Sequence, residues 1–185
     1  MIPALPPRPR NRLAETILRA LHDPAARREL TALSAGTSRW QWLAEDEASW
    51  AGPLAERARA ACAALAGQPL LAPEAGVRGA LEGAATLFDA GLYYEVHELL
   101  EPHWAAAHGE TRAALQGLIQ VAVGWQHLAN GNPAGARSLL VEGGGRLHGA
   151  RLPGLALDDF ARAAVDAAAA IAAGTPVGPP SFPRA

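Results

Sequence analysis

The stretch RAALQGLIQVAVGWQHLAN, residues 112–130, gives the clearest indication of the architecture, because its pattern predicts a helix that is apolar on almost every side. Such a helix must be covered all round, so this segment is expected to be the central, buried helix of the protein. The composition agrees, since half of the 185 residues are apolar, and alanine and leucine far outnumber the β-branched residues that favour strands. The chain is therefore predicted to be all-α.

The segments around the central helix repeat a helix–turn–helix pattern. FDAGLYYEVHELL (88–100) aligns with LANGNPAGARSLL (128–140), and each copy carries a glycine at its turn. Tetratricopeptide-like repeats are built from helical hairpins of this kind, and two antiparallel hairpins would pack into a four-helix core. The predicted helices span about 77–89, 92–107, 111–130, 132–148 and 157–173. The three glycines at 143–145 are expected to weaken the fourth of them.

Three regions are expected along the chain. Residues 1–75 are predicted to form an N-terminal helical extension, with an extended arm over 1–11 and helices over about 12–22, 24–33 and 53–66. Residues 76–173 are predicted to form the core helical bundle. Residues 174–185 are rich in proline and glycine, and are therefore expected to be a disordered tail.

Charge and cysteine content exclude several classes of function. The 16 basic residues are all arginine and are outnumbered by 18 acidic ones, so no basic field for nucleic acid is expected. The single cysteine, Cys62, cannot form an internal disulfide, which favours a cytoplasmic location. The sequence also shows no signal peptide and no apolar segment long enough to cross a membrane. The expected partner is an unidentified small molecule or protein, and the oligomeric state is left undetermined.

The candidate site lies in YYEVHELLEPHW, residues 93–104. On a helix, Tyr93, Leu100 and Trp104 lie within about 60° of His97, so this histidine is predicted to face the core from the middle of an apolar stripe. Glu101 is four residues further on and shares its face, whereas Glu95 and Glu98 are expected to point further out. The pattern H-E-x-x-H of zinc proteases is excluded, because the fifth residue is glutamate.

The central helix is expected to complete this site. Its polar residues Gln116, Gln120 and His127 fall on one line, which is bordered by two glycines. Buried amides and imidazoles need hydrogen-bond partners, and the line is therefore predicted to face His97 and Glu101.

Two interpretations follow from that arrangement. In the first, His97, Glu101 and His127 bind zinc, manganese or iron, no other cofactor being expected. Glu98 is then the candidate catalytic base, and the protein is a hydrolase or a sensor. Four further residues line the site: Tyr93, Trp104, Gln116 and Gln120. In the second interpretation the polar cluster is only a structural hydrogen-bond network, and the protein is a non-catalytic, tetratricopeptide-like protein-interaction module.

Two motifs, LFDAGLYYEVHELLEPHW (87–104) and LQGLIQVAVGWQHLANGN (115–132), resemble a bacterial and archaeal family known as domain of unknown function 309. Its hallmark H-x-x-x-E-x-x-W matches His97, Glu101 and Trp104, and its second motif matches Gln116, Gly117, Gln120, Gly131 and Asn132. The resemblance covers about residues 78–150. It implies a small helical bundle whose histidine motif is suspected of binding metal and whose activity is not established. The chain departs from the family at Pro102, which is expected to kink the helix or end it early.

Overall fold

The computed structural model describes residues 5–36 and 40–184, and these residues form eight α-helices and one short β-hairpin. In chain order the helices are α1 (Pro7–Ala20), α2 (Pro24–Ser34), α3 (Ala51–Leu65), α4 (Gly76–Asp89), α5 (Tyr93–Ala106), α6 (Gly109–Ala129), α7 (Pro133–Leu147) and α8 (Asp158–Ala172). Two 3-10 turns, Glu45–Trp50 and Pro73–Ala75, precede α3 and α4. Strands β1 (Arg151–Leu152) and β2 (Leu155–Ala156) pair antiparallel between α7 and α8. The predicted all-α class is confirmed.

The two central hairpins have the same turn. Gly91, between α4 and α5, has a φ of 75°, and Gly131, between α6 and α7, has a φ of 76°. Both turns are closed by equivalent backbone hydrogen bonds, from Leu92 to the carbonyl of Leu87 and from Asn132 to that of His127, each 2.9 Å long. Only glycine adopts this left-handed conformation without strain, which explains why the two copies align at their glycines.

Helix α6 is the central helix, as predicted. It packs against α5 on one side and α7 on the other, and α7 in turn packs against α8. Its side chains Leu115, Leu118 and Val121 are completely buried. Asn132 begins α7 by accepting a hydrogen bond from the amide of Gly135 at 2.9 Å, with Pro133 at the first helical position, so the helix starts where the sequence predicts it.

Close contact between α6 and α7 explains the run of glycines in α7. A Cβ atom at Gly143 would lie 2.8 Å from the backbone oxygen of Gly117, and one at Gly144 would lie 2.8 Å from the backbone oxygen of Ala161 in α8. The helix is continuous through these residues, so the expectation that they weaken it misses their role. Gly143 and Gly144 lower local helix propensity, but they allow α7 to pack against α6 and α8.

The N-terminal helices share one hydrophobic core with the rest of the chain. Leu13 of α1 and Leu54 of α3 are fully buried in the same cluster as Leu100 of α5 and Leu118 of α6. The expected extended arm is wrong from Pro7 onward, because α1 already begins there with proline at its first position.

The C-terminal segment also differs from its prediction. Residues 175–184 form no helix or strand, yet Phe182 is only 2% exposed and its ring lies 5.4 Å from those of Phe88 and Phe160. Asp89 fixes this segment by accepting the amide hydrogen of Phe182 at 2.8 Å and by pairing with Arg184 at 2.6 Å. One buried aromatic ring and two polar contacts therefore hold a segment whose composition favours disorder.

Within the described residues, no helix combines the length and apolar character needed to cross a membrane.

Candidate functional site

The orientation of α5 differs from the predicted one. Tyr93, Val96 and Leu100 are buried, as expected, but Glu95 is completely buried as well, whereas the side chain of His97 is 29% exposed. The expectation that His97 faces the core and Glu95 points outward is therefore wrong. The reason is that α5 packs against α1 in addition to α4 and α6, and Glu95 meets the buried Arg57 of α3. A helical projection of α5 alone cannot include that second contact.

Three side chains on two adjacent turns of α5 form the candidate site: His97, Glu98 and Glu101. The Nδ1 atom of His97 lies 3.0 Å from Oε1 of Glu98, and its Nε2 atom lies 4.0 Å from Oε2 of Glu101. Each of the three residues offers one ligand atom, and these atoms lie within 4.8 Å of one another. The side chains of Glu98 and Glu101 are 33% and 53% exposed, so the cluster lies at the surface and not in the core.

Helix α1 borders this cluster through Tyr94, which the sequence interpretation overlooked. The Tyr94 hydroxyl donates a 2.8 Å hydrogen bond to Oδ1 of Asn11, and the Arg10 guanidinium lies 4.0 Å from the centre of its ring. The centre of the His97 ring is 6.2 Å away. Burial raises the pKa of Tyr94, and the neighbouring Glu98 carboxylate raises it further, so the phenol keeps its proton. The sequence spacing could have indicated this position, since Tyr94 precedes His97 by three residues and Glu98 by four, and residues so spaced are neighbours on a helix surface.

The predicted contribution of α6 is not formed, because its polar line faces α7. Gln120 donates to Glu142 at 3.0 Å and accepts from Arg146 at 3.0 Å, both residues of α7. His127 lies at the end of α6, where its Nδ1 atom is 2.8 Å from Nδ2 of Asn132. Gly117 and Gly124 let α7 approach this face of α6 closely, and α7 therefore covers the polar line. His127 is not part of the group formed by His97, Glu98 and Glu101.

The other predicted lining residues lie elsewhere. Tyr93 is buried, with its ring 5.1 Å from that of Phe88, and Gln116 is half-buried on α6. Trp104 is half-buried beneath the guanidinium of Arg112, which lies 3.9 Å from the centre of one of its rings.

Helix α5 continues past Pro102 to Ala106, so the proline does not end it early. Proline has no amide hydrogen to donate to the carbonyl of Glu98, which weakens the helix at this point. Arg112 of α6 caps the C-terminal end of the helix, where its Nη1 atom donates to the carbonyl oxygens of Trp104 at 2.8 Å and Ala105 at 3.1 Å. His97 and Glu101 therefore remain on one continuous helix.

The donor set of the cluster suits a divalent transition metal. One imidazole nitrogen and two carboxylate oxygens are ligands that zinc, manganese and iron accept. Ligand atoms that bind one metal at about 2.1 Å lie roughly 3.4 Å apart in a tetrahedral site. The 4.0 Å between His97 and Glu101 needs only a small rotation of the exposed Glu101 side chain to reach that separation.

A comparison with known families agrees with the motifs. The model of a family described as domain of unknown function (DUF309) matches residues 81–139, which run from α4 into α7 and include the whole His97, Glu98 and Glu101 cluster. No curated protein and no solved structure matches the chain. Residues 81–139 are therefore similar to the DUF309 family, whose function is unknown.

Proposed function

We propose that the protein binds a divalent transition metal, zinc, manganese or iron, on the outer face of α5. The observation that carries this proposal is the convergence of one histidine and two glutamates whose ligand atoms lie within 4.8 Å of one another. The helix places His97 and Glu101 on adjacent turns, so folding brings the two donors together before any metal arrives.

The contacts of His97 suggest a role for each side chain. Glu98 lies 3.0 Å from Nδ1, and a carboxylate at that distance accepts a hydrogen bond from a protonated Nδ1, which leaves Nε2 as the free ligand atom. In metal sites such a carboxylate fixes the orientation of the ring and makes the imidazole a better ligand. His97 and Glu101 are thus the proposed ligands, and Glu98, the candidate base in the sequence interpretation, is proposed to position His97.

The exposure of the site fits an open coordination sphere. Two ligands on one helix, with Glu101 more than half exposed, leave positions for water and for an oxygen atom of a substrate or partner. A bound divalent metal would supply a Lewis acid at this position. A hydrolase or a sensor remains the function that we propose for such a site, in preference to a closed structural centre.

The test compares His97 and His127, which the sequence predicted to bind the same metal and the structure places apart. We would measure metal content by mass spectrometry on untagged protein, after incubation with zinc, manganese or iron and gel filtration. His97→Ala and Glu101→Gln are expected to lose the metal and keep the helical circular dichroism spectrum, whereas the control His127→Ala retains it. Glu98→Gln should weaken binding by roughly 10- to 100-fold, because it acts through His97.

Two results would overturn the proposal. One is that the wild type retains none of the three metals, and the other is that His127→Ala loses metal as completely as His97→Ala. The first result would favour the alternative in which the polar cluster is only structural and the protein is a non-catalytic interaction module.

A further inference from the structure

The C-terminal segment, residues 175–184, is attached to the core at few points. The amide of Thr175 donates to the carbonyl of Ala170 at 2.9 Å, and among the described residues no further backbone–backbone hydrogen bond joins the segment to the helices. Phe182 is its only buried residue, and most of the others are exposed. A segment with so few contacts opens locally at a lower cost than global unfolding.

The contacts that hold the segment resemble those of a bound peptide. The ring of Phe182 lies with its centre 5.4 Å from those of Phe88 and Phe160. Asp89 accepts the amide hydrogen of Phe182 at 2.8 Å and pairs with Arg184 at 2.6 Å. An aromatic anchor in a pocket, a captured backbone amide and a charge pair are the means by which proteins bind short extended peptides.

The composition of the segment also suits a ligand. Four of its ten residues are prolines, at positions 176, 179, 180 and 183. Proline restricts φ and favours the extended polyproline conformation, which needs no internal hydrogen bonds. Docking of such a segment therefore costs little conformational entropy and requires no secondary structure in it.

Unfilled space lies on both sides of the docked segment. A cleft of about 410 Å³ lies between Pro183 and Leu81 of α4, and a second cleft of about 580 Å³ lies between Val177 and Leu128 of α6. Protein cores are close-packed, so clefts of this size show that the side chains of the segment do not fill the surface on which it lies.

We propose that Phe88, Phe160 and Asp89 form a docking site for an extended segment of a partner protein, in which an aromatic residue is followed two positions later by arginine. Residues 175–184 occupy the site when the partner is absent. A second copy of this chain would gain nothing by offering its own identical segment, because a short tether holds the resident one at an effective concentration on the order of mM.

A partner segment displaces the resident one by filling the two clefts with larger side chains. None of the residues that form the docking site belongs to the cluster around His97, so this inference does not depend on the proposed metal site.

The test uses the full chain with Phe182→Ala, which frees the pocket, and a fluorescein-labelled peptide of residues 175–184 as the probe. Fluorescence anisotropy should give a Kd below about 1 mM, a reasonable limit for one aromatic anchor. The wild type should bind the peptide at least about tenfold more weakly, because its own segment competes. The same peptide with Phe182→Ala should not bind.

Arg184→Glu frees the pocket without changing a buried residue, and it decides the question if Phe182→Ala does not fold. The Arg184 side chain is 55% exposed, and a carboxylate in its place is repelled by Asp89. This variant should also bind the peptide more tightly than the wild type does. The control Arg12→Glu makes the same charge change at an exposed, paired arginine of α1 and should bind like the wild type.

A second peptide tests the contribution of the clefts. Val177→Leu in the peptide adds one methylene group beside Leu128, and it should tighten binding to the Phe182→Ala chain about fourfold if that group is buried.

Any of four results would overturn the proposal. The peptide binds neither folded variant below about 1 mM, or it binds equally well with alanine at its anchor position. The wild type binds it as tightly as both variants do, which would place the binding elsewhere. Val177→Leu does not tighten binding. The wild type forms dimers at micromolar concentration that Phe182→Ala does not form, which would assign the pocket to the segment of a second copy.

Discussion

Arg57 and Glu95 form a two-pronged ion pair in the core, with Nε to Oε1 at 2.7 Å and Nη2 to Oε2 at 2.5 Å. Their side chains are 3% and 0% exposed, so neither charge is compensated by water. The pair joins α3 to α5 and sets the rotation of α5, which turns His97 and Glu98 toward the surface. Such a pair fixes geometry more reliably than it adds stability, because the cost of removing both charges from water offsets their attraction.

Breaking this pair should destabilise the protein strongly. Glu95→Gln leaves the Arg57 charge buried without its partner, and we expect the free energy of unfolding to fall by about 3–5 kcal/mol in urea titrations. The double variant Arg57→Met with Glu95→Leu should lose less than Glu95→Gln alone, because it leaves no buried charge.

The matched control for that prediction is Arg78→Ala. Arg78 forms an exposed pair with Glu82 at 3.9 Å, and its loss should cost less than about 1 kcal/mol. If Glu95→Gln were no more damaging than Arg78→Ala, the buried pair would not be what holds α5 in its orientation.

Adding one methyl group at two nearby glycines of α7 should have opposite effects. A Cβ atom at Gly143 would meet the backbone oxygen of Gly117 at 2.8 Å and the side chain of Val121 at 2.9 Å. Because backbone atoms cannot move aside cheaply, Gly143→Ala should lower the free energy of unfolding by about 1–3 kcal/mol. Gly145 has no atom within 4 Å of the same position, and Gly145→Ala should raise it by about 0.5–1 kcal/mol through helix propensity.

Thermal and urea unfolding, followed by circular dichroism, would measure both changes. Equal effects of the two substitutions would show that close contact between α6 and α7 does not depend on Gly143.

The sequence predicted those features of the fold that depend on local signals. Asn132 and Pro133 mark the start of α7, and Gly91 and Gly131 mark two equivalent turns, because each of these residues acts through its own backbone conformation or hydrogen bonds. The apolar pattern of α6 identified the central helix for a similar reason. The buried position of Phe182 gave no such signal, since its segment has no period and its partners Phe88, Asp89 and Phe160 lie far away in the chain.

The candidate site was predicted only in part, and the limit is again physical. His97 and Glu101 could be placed together because their separation is set by one helix turn. The side of α5 that is buried, however, depends on the ion pair with Arg57, which lies 38 residues before Glu95 in the chain. The position of His127 depended on how closely α7 approaches α6. Both are properties of packing between helices, which periodicity within a single helix does not contain.

We predict that ionisation of the Tyr93 phenol destabilises the folded protein at high pH. Its pKa is raised from 10.0 to about 12, mainly by burial, so the folded protein holds the phenol proton more tightly than the unfolded chain does. The stability that this proton contributes is fully present below pH 10 and is lost as the pH rises from 10 to about 12. Urea titrations across that range should show a steeper decline for the wild type than for Tyr93→Phe, which has no phenol to ionise.

Direct titration of the phenols by ultraviolet absorbance provides the second measurement. In Tyr94→Phe the remaining tyrosine should ionise near pH 12 in the folded state and near 10 after denaturation. Parallel stability curves for the wild type and Tyr93→Phe would show that the Tyr93 phenol is not held in a desolvated position.

Removing one ring should release the C-terminal segment. Phe182 contacts Phe88 and Phe160, with ring centres 5.4 Å apart in both cases, and it is the buried anchor of residues 175–184. Phe182→Ala is expected to lower the free energy of unfolding by about 3–5 kcal/mol, as other losses of a buried phenylalanine do. It should also make the segment after α8 a site of rapid cleavage in limited proteolysis, because the remaining contacts to Asp89 are partly exposed. Ser181→Ala, at an exposed neighbouring position, should leave both the stability and the cleavage rate unchanged. A Phe182→Ala variant that resists proteolysis like the wild type would mean that the polar contacts at Asp89, and not the aromatic ring, hold the segment against the core.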